Sequence, residues 1–144
     1  MGRVKKPSGE CEETSEILIE EDFSQGLDGI EGFSHIFILS YLHRYAGEKA
    51  LKVKPRRLLK RGAKLEELPL LGVFSLDSPV RPNPIGLSLV KLVERRGNVL
   101  IVEGLDLLAR TPVLDIKPYF HGYRVESFTL PQTHLALLQK YGEL

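Results

Sequence analysis

A mainly β fold, a barrel or sandwich-like sheet with one short C-terminal helix, is predicted by three features of this sequence. Apolar runs are short and rich in Ile, Val, Leu and Phe. They are punctuated by 13 glycines and 9 prolines. Repeated strand–helix–strand units with a Gly-rich first turn, which a Rossmann fold needs, are absent. Glu16 to Glu20 reads as an exposed-edge strand bounded by acids. Glu21 to Gly32 carries Gly26, Gly29 and Gly32 and reads as a helical turn and a loop. Ser34 to Leu42 is almost continuously apolar, the pattern of a strand buried on both faces. Leu70 to Phe74 is a further short strand. Ile85 to Val93 and Asn98 to Leu105 form a hairpin, and Gly97 supplies the positive φ its turn requires. Pro112 to Tyr119 is the next strand. Pro131 near a helix start, with Leu135, Leu137 and Leu138, predicts one amphipathic helix closing at Gly142.

The chain has 144 residues, 42% hydrophobic and 27% charged, an ordinary globular mix expected to form a single domain over 1–144. One cysteine, Cys11, excludes an intrachain disulfide and a Cys-based zinc site within one chain, and no metal is expected. Single-thiol usage suits a reducing cytoplasm. The polar stretch from Met1 to Glu16 does not read as a signal peptide, and no apolar run approaches the roughly 20 residues of a membrane helix.

A net charge of +1 conceals an asymmetry. Nine acids and no Lys or Arg lie between Pro7 and His43; nine bases and one acid lie between Arg44 and Lys64. The basic block, with Lys52, Lys54, Arg56, Arg57, Lys60 and Arg61, suits a phosphate-facing patch. It equally suits a solvated loop, or a surface pairing with the acidic stretch of the same or another subunit.

Two segments stand out. In Gly72 to Leu92, Pro79, Pro82 and Pro84 fix three φ angles and remove three amide donors. Ser78, Arg81 and Asn83 therefore sit on a stiff loop. Such a loop is either a ligand-binding edge with little ordering entropy left to lose, or a rigid crossover with Arg81 in a surface ion pair. In Gly104 to Tyr119, Asp115 and Lys117 share one face of an extended strand. They form an ion pair fixing a barrel edge, or place a carboxylate near a reacting proton. Tyr119 stacks on a base or fills the barrel mouth, and the second reading is favoured.

Asp28-Gly-Ile-Glu-Gly-Phe-Ser-His35, Ser78-Pro-Val-Arg-Pro-Asn-Pro-Ile-Gly-Leu-Ser88 and Thr111-Pro-Val-Leu-Asp-Ile-Lys-Pro-Tyr119 resemble the signature blocks of the TsaA-like (TrmO) family. These are S-adenosylmethionine-dependent tRNA methyltransferases. The resemblance spans about Arg3 to Tyr119, with 120–144 as an extension carrying the helix. It implies a small β-barrel, a homodimer, and a cofactor site near the subunit junction. The implied reaction is N6-methylation of threonylcarbamoyl-adenosine just 3′ of the anticodon. A same-fold methyltransferase with another substrate, or a non-catalytic module binding S-adenosylmethionine or RNA, stays open.

Carried over by residue, the family's cofactor contacts fall at His43 and Arg44, along the stiff loop from Asp77 with Ser78, Arg81 and Asn83, at Leu87, and at Leu107, Leu108, Ala109 and Arg110. Without the resemblance, His43 reads as a strand-end histidine facing solvent. Asp115 is the candidate general base, with Lys117 orienting it. Lys52, Lys54, Arg56, Arg57, Lys60 and Arg61 are the expected tRNA-facing surface. The chain departs from the family pattern at Asp77-Ser78-Pro79, where Arg-Ser-Pro is common. It departs again at Ala109-Arg110-Thr111-Pro112, where Asp-Gly-Thr-Pro is common. A Pro-Arg-Gln-like element after the first strand is replaced by Lys6-Pro-Ser-Gly-Glu-Cys-Glu-Glu13, which is shorter and acidic.

Overall fold

A computed structural model describes residues 1–6 and 14–142. Cys11 and the acids Glu10, Glu12 and Glu13 lie outside the described residues. Contacts divide the chain into two compact units, Met1–Arg44 with Ile85–Arg124 and Tyr45–Pro84 with Val125–Leu144.

The first unit is a closed six-stranded barrel of β1 (Gly2–Lys6), β2 (Thr14–Ile19), β3 (His35–Tyr41), β6 (Ile85–Arg96), β7 (Val99–Glu103) and β8 (Pro112–Pro118), in the order β1-β2-β7-β6-β3-β8. Every pairing is antiparallel, and Gly2 opposite Val113 closes the ring. Alternation drives it: Val4, Ile17, Ile19, Ile36, Ile38, Val90, Leu100, Val102 and Val113 point inward and are buried. Two expectations are corrected. The Glu16–Glu20 segment is no edge, because β2 pairs with both β1 and β7. Nor is β3 buried on both faces: Ile36, Ile38 and Ser40 are buried, while His35, Phe37, Leu39 and Tyr41 are half-buried on the outer face. Its continuous apolar run reflects an outer wall covered by aromatic neighbours, with the Phe37 ring 4.9 Å from Tyr123 and 5.8 Å from Tyr119.

The sequence reading missed β1, because Gly-Arg-Val-Lys-Lys carries a single apolar side chain. The predicted hairpin is present, with Gly97 at φ +59°. Asn98 Nδ2 donates to the Ile19 carbonyl at 2.7 Å and ties the turn to β2. Between β2 and β3 the chain makes a 3-10 helix over Glu21–Leu27, matching the expected turn. Arg95, from β6, anchors that connection by donating to the Leu27 carbonyl at 3.2 Å and pairing with Asp28 and Glu31. Gly86 faces Ser40 across β3 and β6 at close range. A Cβ there would lie 2.5 Å from Ser40 Oγ and 3.2 Å from Leu42 Cδ2.

The second unit is built differently. Its sheet is only β4 (Lys52–Val53) against β5 (Leu71–Gly72). The strand expected over Leu70–Phe74 shrinks to two residues, since Val73–Ser75 turns into a 3-10 helix. The C-terminal helix α1 (Gln132–Tyr141) forms as predicted and ends at Gly142, at φ +96°. His134, Leu137, Leu138 and Tyr141 mark its inward stripe at spacings of three and four. Leu137 packs with Leu58, Ala63 and Leu68, and His134 Nε2 donates to the Ser75 carbonyl at 2.8 Å.

Candidate functional site

Register places several predicted residues at one end of the barrel. Ser40 of β3 lies opposite Val113 of β8, which lies opposite Gly2 of β1. Toward that end the chain runs past β3 into His43, enters β8 from Arg110 and follows β1 to Lys5, so the three positions lie at the same end of the barrel. His43 opens a 3-10 turn over His43–Tyr45 directly after β3 and is half-buried; Arg44 is exposed. At the same rim β6 begins, with Ile85 opposite Tyr41.

The 107–110 segment is shaped by Thr111. Its backbone N–H and its Oγ1 both donate to the Leu108 carbonyl, at 3.2 and 2.6 Å. This closes a tight turn whose third residue is Arg110, at φ +67°, the one non-glycine with positive φ among the described residues. That conformation favours glycine, the residue the family commonly carries here. The Arg110 N–H donates to the Val4 carbonyl at 2.8 Å, and the Val4 N–H to the Thr111 carbonyl at 3.0 Å. The turn is thus sewn onto β1. Arg3, Val4, Lys5 and Arg110 line a concavity of about 390 Å³. Arg3 and Lys5 were not legible as site residues, because their strand was not.

Asp115 lies mid-strand on the outer wall, in a row with Leu39 and Leu87 across β8, β3 and β6. Its carboxylate accepts the Ile116 N–H at 2.8 Å and pairs with Lys117 Nζ at 3.4 Å. The expected ion pair exists, and both partners are about half exposed. Tyr119 does not fill the barrel mouth. It packs edge-on against His35 and Phe37 and stacks on Tyr123, at the barrel end opposite His43.

Asp77, Ser78, Arg81 and Asn83 belong to the second unit, as do all six bases of the expected tRNA surface. Arg81 is in no ion pair among the described residues, against the surface pair that the sequence offered. Its Nη1 donates to the Leu76 and Ser78 carbonyls at 2.8 and 3.0 Å, and Ser78 Oγ accepts the Val80 N–H at 3.2 Å. These bonds brace the proline loop from inside and leave Asp77 and Asn83 exposed. In the basic block the turn over Arg56–Arg61 buries Leu58 and exposes Arg56, Arg57, Lys60 and Arg61. Lys54 Nζ donates to the Leu65 carbonyl at 2.9 Å, and Arg61 Nη1 to the Tyr141 carbonyl at 3.3 Å. Those two bases therefore also hold their own unit together. No cluster of three or more His, Cys, Asp or Glu suited to a metal occurs among the described residues. No helix among them is long and apolar enough to cross a membrane.

Six antiparallel strands closed into one ring define a small β-barrel protein. The tRNA-methyltransferase O N-terminal domain model matches residues 4–124. A probable S-adenosyl-L-methionine-binding protein of Pyrococcus abyssi is 46% identical over 116 residues, covering 81% of this chain and 56% of that protein. A tRNA (adenine(37)-N6)-methyltransferase of Rattus norvegicus is 46% identical over 118 residues, 81% of this chain and 25% of that protein. The crystal structure of TrmO from Pseudomonas aeruginosa superposes with a TM-score of 0.66 at 26% identity, covering 89% of this chain and 58% of that one. The chain thus spans little more than half the length of the Pyrococcus and Pseudomonas relatives. It belongs to the tRNA-methyltransferase O N-terminal domain family.

Proposed function

We propose that this chain is an S-adenosylmethionine-dependent methyltransferase that methylates N6 of an adenosine in tRNA, the threonylcarbamoyl-adenosine beside the anticodon. The family match over residues 4–124 carries this reading. The fold supports it, since His43, Arg44 and the 107–110 turn, where the family's cofactor contacts are expected, lie at the same end of the barrel. The residues fit the cofactor. Leu108 and Leu87, 51% and 67% exposed, offer apolar surface to a purine, and the half-buried His43 ring offers polar atoms beside it. The backbone of Leu107 to Arg110 completes the holding set. The bracing of Ser78 and Arg81 keeps Asp77 and Asn83 in place as a stiff binding edge.

When bound, S-adenosylmethionine supplies an electrophilic methyl group. This chain's residues contribute by positioning, which governs an in-line displacement. The carbamoyl group makes the N6 proton easier to remove. Asp115 takes that proton, and Lys117 with the Ile116 N–H holds the carboxylate oriented. Arg56, Arg57 and Lys60 hold tRNA phosphates, with Lys52, Lys54 and Arg61 beside them. A homodimer is part of this reading, supported by the exposed apolar row Ile85, Leu87 and Leu89 along β6. A tRNA-modifying role places the protein in the cytoplasm.

Incubation with tRNA and methyl-labelled S-adenosylmethionine, followed by nucleoside mass spectrometry, tests the proposal. Label on threonylcarbamoyl-adenosine is the expected result. Cofactor binding without transfer would favour a silent binding module.

A further inference from the structure

The backbone of Arg110 poses a question the fold does not answer. A non-glycine residue in the left-handed region is strained, and such strain persists where surrounding structure enforces it, often at functional sites. The Thr111 and Val4 bonds enforce it here. A glycine would relieve it, so the side chain itself invites an explanation. Arg110 lines the concavity of about 390 Å³ together with Arg3 and Lys5, on the outer wall where the β1–β8 ladder ends. One carboxylate answers these three cations among the described residues, Glu16 at 3.6 Å from Lys5. Neither the Arg3 nor the Arg110 guanidinium has an ion pair or hydrogen bond among the described residues.

We infer that Arg110, Arg3 and Lys5 form a phosphate clamp that holds a backbone phosphodiester of the substrate RNA at the barrel rim. The charge excludes the cofactor as the better occupant. S-adenosylmethionine carries a sulfonium and an ammonium against one carboxylate, so a net-positive concavity repels it as a whole. A phosphodiester is purely anionic, and the forked guanidinium matches its paired oxygens. Arg110 is the last residue of the segment whose backbone is assigned to the cofactor, so a phosphate held by its side chain fixes the RNA strand next to the methyl donor. The clamp is separate in sequence from the basic block of Lys52 to Arg61 and adds a second hold on the same polyanion.

This inference rests on the RNA-methylating reading, and the test separates the two. Binding of a synthetic tRNA anticodon stem-loop is measured by fluorescence anisotropy over a salt series for the wild type, Arg110→Gly, Arg110→Lys and Arg3→Gln. Cofactor binding is measured by calorimetry, and Tm by thermal unfolding. Arg110→Gly suits the left-handed backbone, so its Tm is expected to equal or exceed that of the wild type. Its RNA affinity is expected to fall about 3–10-fold at low salt, with the log–log salt slope shallower by about 0.7–0.9 for one lost phosphate contact. Arg3→Gln should behave alike while keeping its cofactor affinity within about twofold, and Arg110→Lys should recover at least half of the loss. The inference is overturned if Arg110→Gly binds RNA like the wild type, if lysine restores nothing, or if Arg3→Gln loses cofactor affinity instead of RNA affinity. A wild type that binds no RNA would remove both this inference and the reading beneath it.

Discussion

Ile38 in β3 and Leu58 in the Arg56–Arg61 turn are both fully buried, yet different structures hold them. Ile38 sits between two ladders, opposite Ser88 on one side and Ile116 on the other. Ten further buried apolar residues share its cluster. Leu58 sits in a 3-10 turn, and among the described residues only Ala63, Leu68 and Leu137 share its buried cluster. Its unit has a two-residue ladder where the barrel has a closed one. Closed pairing makes each barrel strand depend on two neighbours, so opening any strand exposes the common core. A turn-built unit depends on a few side chains and opens at lower cost.

Equivalent truncations in the two units would break or sharpen this contrast most strongly. Ile38→Ala is expected to cost about 2–5 kcal/mol, read as a lower urea midpoint of the barrel transition. Leu58→Ala removes similar apolar bulk, but its effect should appear first as lost amide protection in Arg56–Arg61 and Gln132–Tyr141. Protection in β2 and β3 should persist. Equal loss of protection in both units would show that they open together and end the comparison.

A smaller effect tests how tightly the barrel wall is packed. Gly86→Ala pushes a Cβ to within 2.5 Å of Ser40 Oγ, and overpacking of this kind costs about 1–3 kcal/mol. Combining it with Ser40→Ala removes the colliding oxygen. The double variant should therefore be more stable than the sum of the single effects, by about 0.5–3 kcal/mol of coupling in the cycle. Strict additivity would mean the wall relaxes elsewhere. Ser40→Ala alone should shift stability by about 1 kcal/mol at most, because the buried hydroxyl has no partner among the described residues to strand.

The weakest effect concerns the loop tied to the hairpin by Arg95. A hydrogen bond from its own backbone N–H holds Glu31 below the ordinary carboxylate range, desolvation pushes the other way, and Arg95 adds to the lowering. A carboxyl group lowered on folding stabilises the fold above its unfolded pKa, and loses that contribution as pH falls through its folded value. The Tm difference between wild type and Glu31→Gln should therefore be present at neutral pH and vanish on acidification below the carboxylate range. A difference that survives at low pH would mean that shape, not charge, joins the loop to β6.

The sequence by itself determined the barrel wall wherever alternation was strong. The strands read over Asn98 to Leu105 and Pro112 to Tyr119 and the Gly97 turn follow from short apolar runs bounded by turn residues and from backbone stereochemistry, which are local. The amphipathic stripe of α1 is legible for the same reason. Tertiary structure alone decided what needed a partner strand. Gly2 to Lys6 becomes a strand because β2 and β8 flank it, and the Glu16 segment stops being an edge because the ring closes. Arg3, Lys5 and Arg110 meet only through that closure, since they are about a hundred residues apart in the chain and one ladder apart in space. Local pattern reports which face a residue shows; only the register of the closed sheet reports whose face it meets.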